Sequence, residues 1–165
     1  NYKFKLLVEN LHWPGFKFTN PELTERLLSK IHYKNKGIML DIGHLMCTNP
    51  LIEDQKEGVS FIHKILDQHG NLCSYIEGIH LHQSISGKYV MKYTGQLPEL
   101  PSNYWERFNK AYPHILKIDT HQPWENTEIK SIIARLNPTY LVHELAAQNR
   151  EEKIKKTKIQ MNTLA

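Results

Sequence analysis

The sequence contains little cysteine and no long apolar run. Two of its 165 residues are cysteines, Cys47 and Cys73, and their positions fit no metal-binding or redox spacing. So small a cysteine content favours a reducing compartment, and we expect a cytoplasmic protein. A membrane-spanning helix needs about 18 consecutive apolar residues. No such stretch is present, so no membrane span is expected.

The first residues also lack an initiator Met and a secretory signal. The segment 1–8 runs from a polar start directly into apolar residues. It does not show the order of charged, apolar and small residues that marks a signal peptide. We therefore expect the chain to begin inside a larger protein.

The composition is that of an ordinary globular chain, apart from its histidines. Hydrophobic residues make up 40% of the chain and charged residues 23%, which is typical of a soluble domain, and the length suits one domain. The net charge of +4 tolerates a phosphate-bearing ligand but does not require one. Ten histidines are the one unusual count.

Short apolar segments alternate with helical patterns along the chain. Strands are predicted at 3–9, 38–41, 76–81 and 140–144. Helices are predicted from 20–21 to before 37, and at 49–68, 103–112, 125–136 and 146–162. Continuous apolar strands separated by helices predict a parallel sheet covered by helices, which is an α/β fold.

One long segment, 84–113, interrupts this alternation. It is rich in glycine and proline and holds only the short helical candidate 103–112. A connection of this length is usually functional, for example as a lid over a site. We interpret it as an insertion.

The predicted strands share a second property, since each delivers acidic or imidazole side chains at its carboxyl end. The residues concerned are Glu9, Asp41 with His44, His80 and Glu144. Asp119 and His121 form a further D-x-H pair at the end of the segment 115–119, before the next predicted helix. In α/β barrels and open sheets, chemistry is assembled at this end of the strands. Carboxylates and imidazoles that converge there suit a divalent metal, with Zn or Mn preferred and Mg as a further candidate.

The order of these motifs resembles the xylose isomerase-like superfamily of (β/α)8 TIM barrels. This superfamily includes endonuclease IV, an apurinic-site nuclease, and many sugar or sugar-phosphate isomerases and epimerases. The resemblance rests on VEN around Glu9, LDIGH, GIHLH, IDTHQP and VHEL. It covers nearly the whole of 1–165 as the C-terminal half of a barrel, strands five to eight. The sequence departs from many relatives at Gln83, where an aspartate is common, and after His121, where the usual glycines are missing.

The resemblance implies roles for individual residues. It implies that Glu9, Asp41, His80 and Glu144 hold one divalent metal, as in the isomerases and epimerases. It implies that His44, Asp119 and His121 add ligands for further ions, as in the endonuclease-like members. Catalytic roles follow for Glu9, His44 and Glu144. Because all seven positions carry the right residue types, a metal-dependent phosphoester hydrolase is the leading prediction.

Two other functions stay open at this stage. A sugar or sugar-phosphate isomerase or epimerase would use one metal, with Glu9 and Glu144 exchanging a proton on either face of the substrate carbon. A non-catalytic or truncated half-barrel would instead pair its open sheet edges with the missing N-terminal half or with a second copy. The expected partner is a small phosphorylated or sugar substrate. Nucleic acid is a candidate for which the sequence shows no base-recognising contacts.

Substrate contacts are predicted for His82, Trp13, Trp124 and Lys88. His82 lies two residues beyond His80. Side chains two positions apart on a strand point to the same face, so both histidines would face the same side of the sheet. His82 therefore contacts the substrate or replaces His80 as a ligand. Each acidic or histidine residue also has an ordinary structural alternative, such as an ion pair, a turn cap or a loop hydrogen bond.

Overall fold

A computed structural model describes residues 3–93 and 99–165 of the chain. Within these residues a single parallel sheet has the strand order β1-β2-β3-β4. The strands are β1 (Leu6–Glu9), β2 (Lys36–Asp41), β3 (Ile76–Leu81) and β4 (Tyr140–His143). The predicted α/β class and the parallel sheet are therefore confirmed.

Helices connect the strands and flank the sheet. They are α1 (Pro21–Lys30), α2 (Ile42–Cys47), α3 (Gln55–His69), a 3₁₀ helix (Gly70–Tyr75), α4 (Gly87–Tyr93), α5 (Tyr104–Ile118), α6 (Ile129–Leu136) and α7 (Arg150–Leu164). None of the helices in 3–93 and 99–165 combines the length and the apolar character that crossing a bilayer requires.

Several predicted helix boundaries are wrong, and the boundaries of two helices, α3 and α5, are instructive. The second long helix, α3, begins at Gln55 rather than near residue 49, because the Asp54 carboxylate accepts the N–H of Glu57 and caps the helix there. Helix α5 continues through Pro113 to Ile118. Proline removes one N–H donor but keeps a helical φ, and here it does not end the helix.

The predicted insertion, 84–113, contains α4 and the first part of α5. Its residues 94–98 lie outside the described part of the chain. After α5 the chain returns to the sheet, where Gln83 and Gln122 form an antiparallel bridge with N···O distances of 2.8 and 2.9 Å. This bridge places the loop that follows α5 beside the carboxyl end of β3.

The hydrophobic core lies on the two central strands. Side chains such as Ile38 and Leu40 of β2 and Ile79 of β3 are completely buried and pack with Ile62 of α3. The outer strands β1 and β4 are only partly buried. The centre of the sheet is therefore the rigid part of the fold, and the ends of β2 and β3 are held most firmly.

Helix α1 begins at a cap that offers a simple stability test. The Asn20 side chain accepts the N–H groups of Glu22 and Leu23, and Pro21 occupies the first helical position. We expect Asn20→Ala to lower the free energy of unfolding by about 1 kcal/mol. Urea denaturation measures this loss. Asn20→Asp keeps an accepting oxygen and should be near wild type, and an equal loss in both variants would contradict the role of the cap.

Candidate metal centre

The four strands bring one acidic or imidazole residue each to the same face of the sheet. His80 pairs with Asp41 of β2 and with Val142 of β4. Glu9, the last residue of β1, pairs with Met39, which lies two residues before Asp41. Glu144 lies two residues after Val142. Because side chains alternate along a strand, positions two apart share a face. The register therefore directs all four side chains toward one point.

Donor atoms of Glu9, Asp41, His80 and Glu144 all lie within 4.8 Å of one another. The Nδ1 atom of His80 is 2.8 Å from Glu144 Oε2, 3.4 Å from Glu9 Oε1 and 3.5 Å from Asp41 Oδ2. Two ligand atoms at right angles about an octahedral ion, each about 2.1 Å from it, are about 3.0 Å apart. These spacings fit the coordination shell of one divalent cation.

Two of these donor atoms are buried and unpaired. His80 Nδ1 and Glu144 Oε2 have no hydrogen-bond partner among the described residues, although they are 2.8 Å apart, because their mutual angle does not suit a hydrogen bond. A buried polar atom without a partner costs about 1–3 kcal/mol. A bound cation would satisfy both atoms, so the donor set fits a metal ion.

Asp41 is the most deeply buried member of the group, with no exposed surface. Its carboxylate accepts the backbone N–H of His44 at 2.7 Å as the cap of α2, and it is 3.0–3.1 Å from His82 Nε2. Burial raises the pKa of Asp41, but the neighbouring His80 and His82 rings outweigh burial and hold that pKa well below its ordinary value. Asp41 is therefore a fixed negative charge.

Asn10 is a site residue that the sequence analysis missed. Its fully buried side chain donates to the carbonyl oxygen of Asp41 at 2.9 Å and accepts the N–H of Asp41 at 2.8 Å. Its own carbonyl oxygen is 2.8 Å from His44 Nδ1. Asn10 thus ties the end of β1 to the end of β2 and orients the His44 ring. The feature of the sequence that could have indicated this role is the position of Asn10 directly after Glu9.

Glu9, Asp41, His80 and Glu144 together form the strand-end group. His44 lies between this group and Asp119. Its Nδ1 atom is 3.5 Å from Glu9 Oε1, and its Nε2 atom is 3.0 Å from Asp119 Oδ2. Burial lowers the pKa of His44, but the hydrogen bond with Asp119 and the charge of Asp41 outweigh burial and raise that pKa to about 9. Without a metal, the imidazole is therefore cationic at neutral pH.

The Asp119–His121 loop lies beside His44, because Asp119 Oδ2 is 3.0 Å from His44 Nε2. Ser84, which the sequence analysis did not single out, donates to Asp119 Oδ1 at 2.9 Å and accepts the N–H of Thr120. His121 has a left-handed backbone, with φ 47°. Its ring stacks on His82 at 4.0 Å between ring centroids. Donor atoms of His82, His121 and Glu144 form a further group within 4.8 Å.

A residue that the sequence analysis does not single out, His12, also lies at the site. One of its ring nitrogens is within 4.8 Å of donor atoms of His44 and Asp119. Burial lowers the pKa of His12 below its ordinary value, which favours a neutral imidazole. The neighbouring Trp13 ring contacts it edge-on, at 4.5 Å between centroids.

The residues predicted to contact substrate lie in different places. Trp13 is 46% exposed beside His12 and stays a candidate. His82 is completely buried and supports Asp41 from behind, so its side chain does not face a substrate. Lys88 is exposed on α4 and lines a separate cleft with Glu53 and Lys117.

The prediction for Trp124 is wrong. This side chain has no exposed surface and packs in the hydrophobic core. Its Nε1–H group donates to the carbonyl oxygen of His82 at 3.0 Å. Trp124 therefore stabilises the segment that carries His82 rather than lining a pocket.

Comparison of the chain with protein-family models, curated protein sequences and solved structures finds no match.

Cys47 lies close to this site and is only partly exposed, so we expect its thiol to react slowly. Burial, together with the charge of Asp119, raises the pKa of Cys47 to about 12. We expect the chelator-treated native chain at pH 8 to react with Ellman's reagent at Cys47 about 10- to 100-fold more slowly than a thiol of ordinary pKa, because the greater nucleophilicity of a high-pKa thiolate offsets part of its lower abundance. The rate should rise with pH, because only the thiolate reacts. The chain in guanidinium is the control, and equal rates in both states would contradict this burial.

Proposed function

We propose that the chain is the C-terminal half of a (β/α)8 barrel of the xylose isomerase-like superfamily. The strand order supports this, because β1-β2-β3-β4 runs in one direction without the reversal that marks a doubly wound sheet. The exposed outer strands β1 and β4 are open edges that a barrel would cover. The missing N-terminal half or a second copy of the chain would pair with them.

The proposed activity is divalent-metal-dependent hydrolysis of a phosphoester. One observation carries it, namely the convergence of four donor atoms from four strand ends within 4.8 Å, with further histidines and Asp119 at their border. His44 is within 3.6 Å of Glu9 and Asp41 on one side and within 3.0 Å of Asp119 on the other. Adjacent groups of donors that nearly touch favour more than one ion, which is typical of phosphoester hydrolases.

Each residue has a proposed task. Asp41 and His80 bind an ion from the buried side, while Glu9 and Glu144 bind it from the solvent side, where their side chains are 36% and 41% exposed. Ions held there would polarise a phosphoryl group and lower the pKa of an attacking water molecule. The partly exposed carboxylates of Glu9 and Glu144 would accept a proton from that water. Zn²⁺ and Mn²⁺ suit this mixture of carboxylate and imidazole best, and Mg²⁺ suits the carboxylates.

The exposure of Glu9 and Glu144 favours a second candidate function. Two carboxylates that are reachable from solvent at one metal are what an isomerase or epimerase of sugars or sugar phosphates needs for proton transfer. This reaction uses the strand-end group alone and leaves the His44 and Asp119 pair without a task. We therefore place it behind hydrolysis.

The full-length protein that contains this chain tests the proposal. After removal of metal with a chelator, it is loaded with Zn²⁺ or Mn²⁺ and assayed with bis(4-nitrophenyl) phosphate. We expect metal-dependent hydrolysis that falls at least about 100-fold in Glu144→Gln, since this change removes a ligand and a proton acceptor together. Glu151→Gln, an exposed glutamate on α7, is the matched control and should be fully active.

The outcomes separate the candidate functions. Hydrolysis that is lost in Glu144→Gln and kept in the control supports the phosphoesterase. Metal binding without hydrolysis, together with solvent deuterium in a recovered ketose, supports the isomerase and overturns the hydrolase. A protein that binds neither ion overturns both proposals.

A further inference from the structure

His12 lies in the loop after β1 and has no task in the proposed reaction. Its Nδ1 atom is buried and has no hydrogen-bond partner among residues 3–93 and 99–165. One of its ring nitrogens lies within 4.8 Å of a ring nitrogen of His44 and of a carboxylate oxygen of Asp119. We propose that His12, His44 and Asp119 form a second divalent-cation site beside the strand-end group.

The surroundings of His44 prepare one ring nitrogen for a metal. Its Nδ1 atom is 2.8 Å from the carbonyl oxygen of Asn10, and a carbonyl oxygen can only accept a hydrogen bond. The Nδ1 atom therefore carries the proton in the neutral ring. The lone pair of Nε2 then faces Asp119, whose Oδ2 is 3.0 Å away. A histidine fixed in this way by a backbone carbonyl is typical of metal ligands.

The surroundings of Asp119 prepare one oxygen in the same way. The Ser84 hydroxyl donates to Oδ1 at 2.9 Å and leaves Oδ2 directed at His44. Ser84 and Asp119 are both buried, with 2% and 5% of their surfaces exposed. The orientation of the carboxylate is therefore set from within the protein, as in sites where an outer partner holds a ligating carboxylate.

His12 supplies the third donor from the opposite side. Its ring lies 5.2 Å from the His44 ring, between centroids, and is held edge-on by Trp13. Binding to a cation would give a partner to the His12 ring, whose buried Nδ1 atom now lacks one. Two imidazoles and one carboxylate with a remaining open position are a donor set that Zn²⁺ favours.

This inference deepens the proposed function, on which it rests, because it names the ligands of a second ion. It does not require catalysis, and its test is a binding measurement. A loss of the second ion alone is distinguishable from a failure of the strand-end group, since the two groups share no residue.

The test is a titration of the chelator-treated full-length protein with Zn²⁺ by calorimetry. We expect His12→Ala to bind one ion fewer per chain than wild type and to keep the tightest remaining site. His32→Ala, which removes an exposed histidine, is the matched control and should bind as many ions as wild type. His80→Ala should lose the ion of the strand-end group and keep the one held by His12.

A second measurement does not depend on the folding of a His12 variant. Because Trp13 contacts His12, Co²⁺ bound there should quench Trp13 fluorescence in the wild type. The quenching should be smaller in Trp13→Phe, which keeps Trp105 and Trp124. An unchanged stoichiometry in His12→Ala, or Trp13 emission that Co²⁺ leaves unaltered, overturns this inference and leaves the strand-end group standing. A wild-type protein that binds no Zn²⁺ overturns both.

Discussion

Replacing His80 with alanine is expected to lower the affinity of the chain for Zn²⁺ by more than about 100-fold. Removing a residue that only supports a ligand already costs about 10- to 100-fold in metal affinity, and His80 is placed as a ligand itself. Its Nδ1 atom lies within 3.5 Å of all three carboxylates of the strand-end group. Equilibrium dialysis against Zn²⁺ with a competing chelator measures the change.

The fold should tolerate this substitution. His80 lies near the carboxyl end of β3, its side chain is 18% exposed, and its Nδ1 atom makes no hydrogen bond within the described residues. His32→Ala provides the matched loss of an exposed histidine. Equal Zn²⁺ affinity in wild type, His80→Ala and the control would show that the strand-end group does not bind the metal.

Trp124→Ala is expected to destabilise the protein by about 3–5 kcal/mol, the usual cost of removing a large aromatic side chain from a core. Trp124 is completely buried, and its indole N–H donates to the carbonyl oxygen of His82. Its backbone also holds α7, since its N–H donates to Gln160 and its carbonyl oxygen accepts from Thr163. The variant therefore leaves a cavity and an unpaired carbonyl group.

Urea denaturation of the metal-free chain measures this effect. Trp13→Ala is the matched control, because Trp13 is the same residue type but 46% exposed, and its loss should cost less than about 1 kcal/mol. Trp124→Phe keeps part of the volume and loses the donor, so it should fall between the two. Similar losses for Trp13→Ala and Trp124→Ala would contradict the assignment of Trp124 to the core.

The His80→Ala and Trp124→Ala experiments concern the same feature of the site, namely that buried residues hold the proposed metal-binding side chains in place. Asp41 is held by the side chain of Asn10 and by His82. His82 is in turn held by its carbonyl contact with Trp124. Because Asp41 and the backbone of His82 have these buried partners, this side of the site keeps its geometry while the outer carboxylates stay accessible.

Local sequence patterns determined the elements of this protein and the ends of its central strands. The strand Ile76–Leu81 follows from its apolar run, and α1 follows from the cap at Asn20 and its helical spacing. Asp41 and His80 were predictable as site residues because parallel strands present their carboxyl ends at one edge. In these cases residues within a few positions of one another decide the conformation.

Only the tertiary structure decided that His12 belongs to the site and which buried residues support the predicted site residues. Asn10 reaches a residue 31 positions away, Ser84 one 35 positions away and His44 one 75 positions away. Neither periodicity nor spacing along the chain encodes such contacts. His12 and Trp124 show the same limit. His12 lies at the site although the sequence did not indicate it, and Trp124 lies in the core although a substrate contact was predicted. The physical reason is that burial and partnership are set by how distant segments pack, while the sequence pattern reports the preferences of near neighbours.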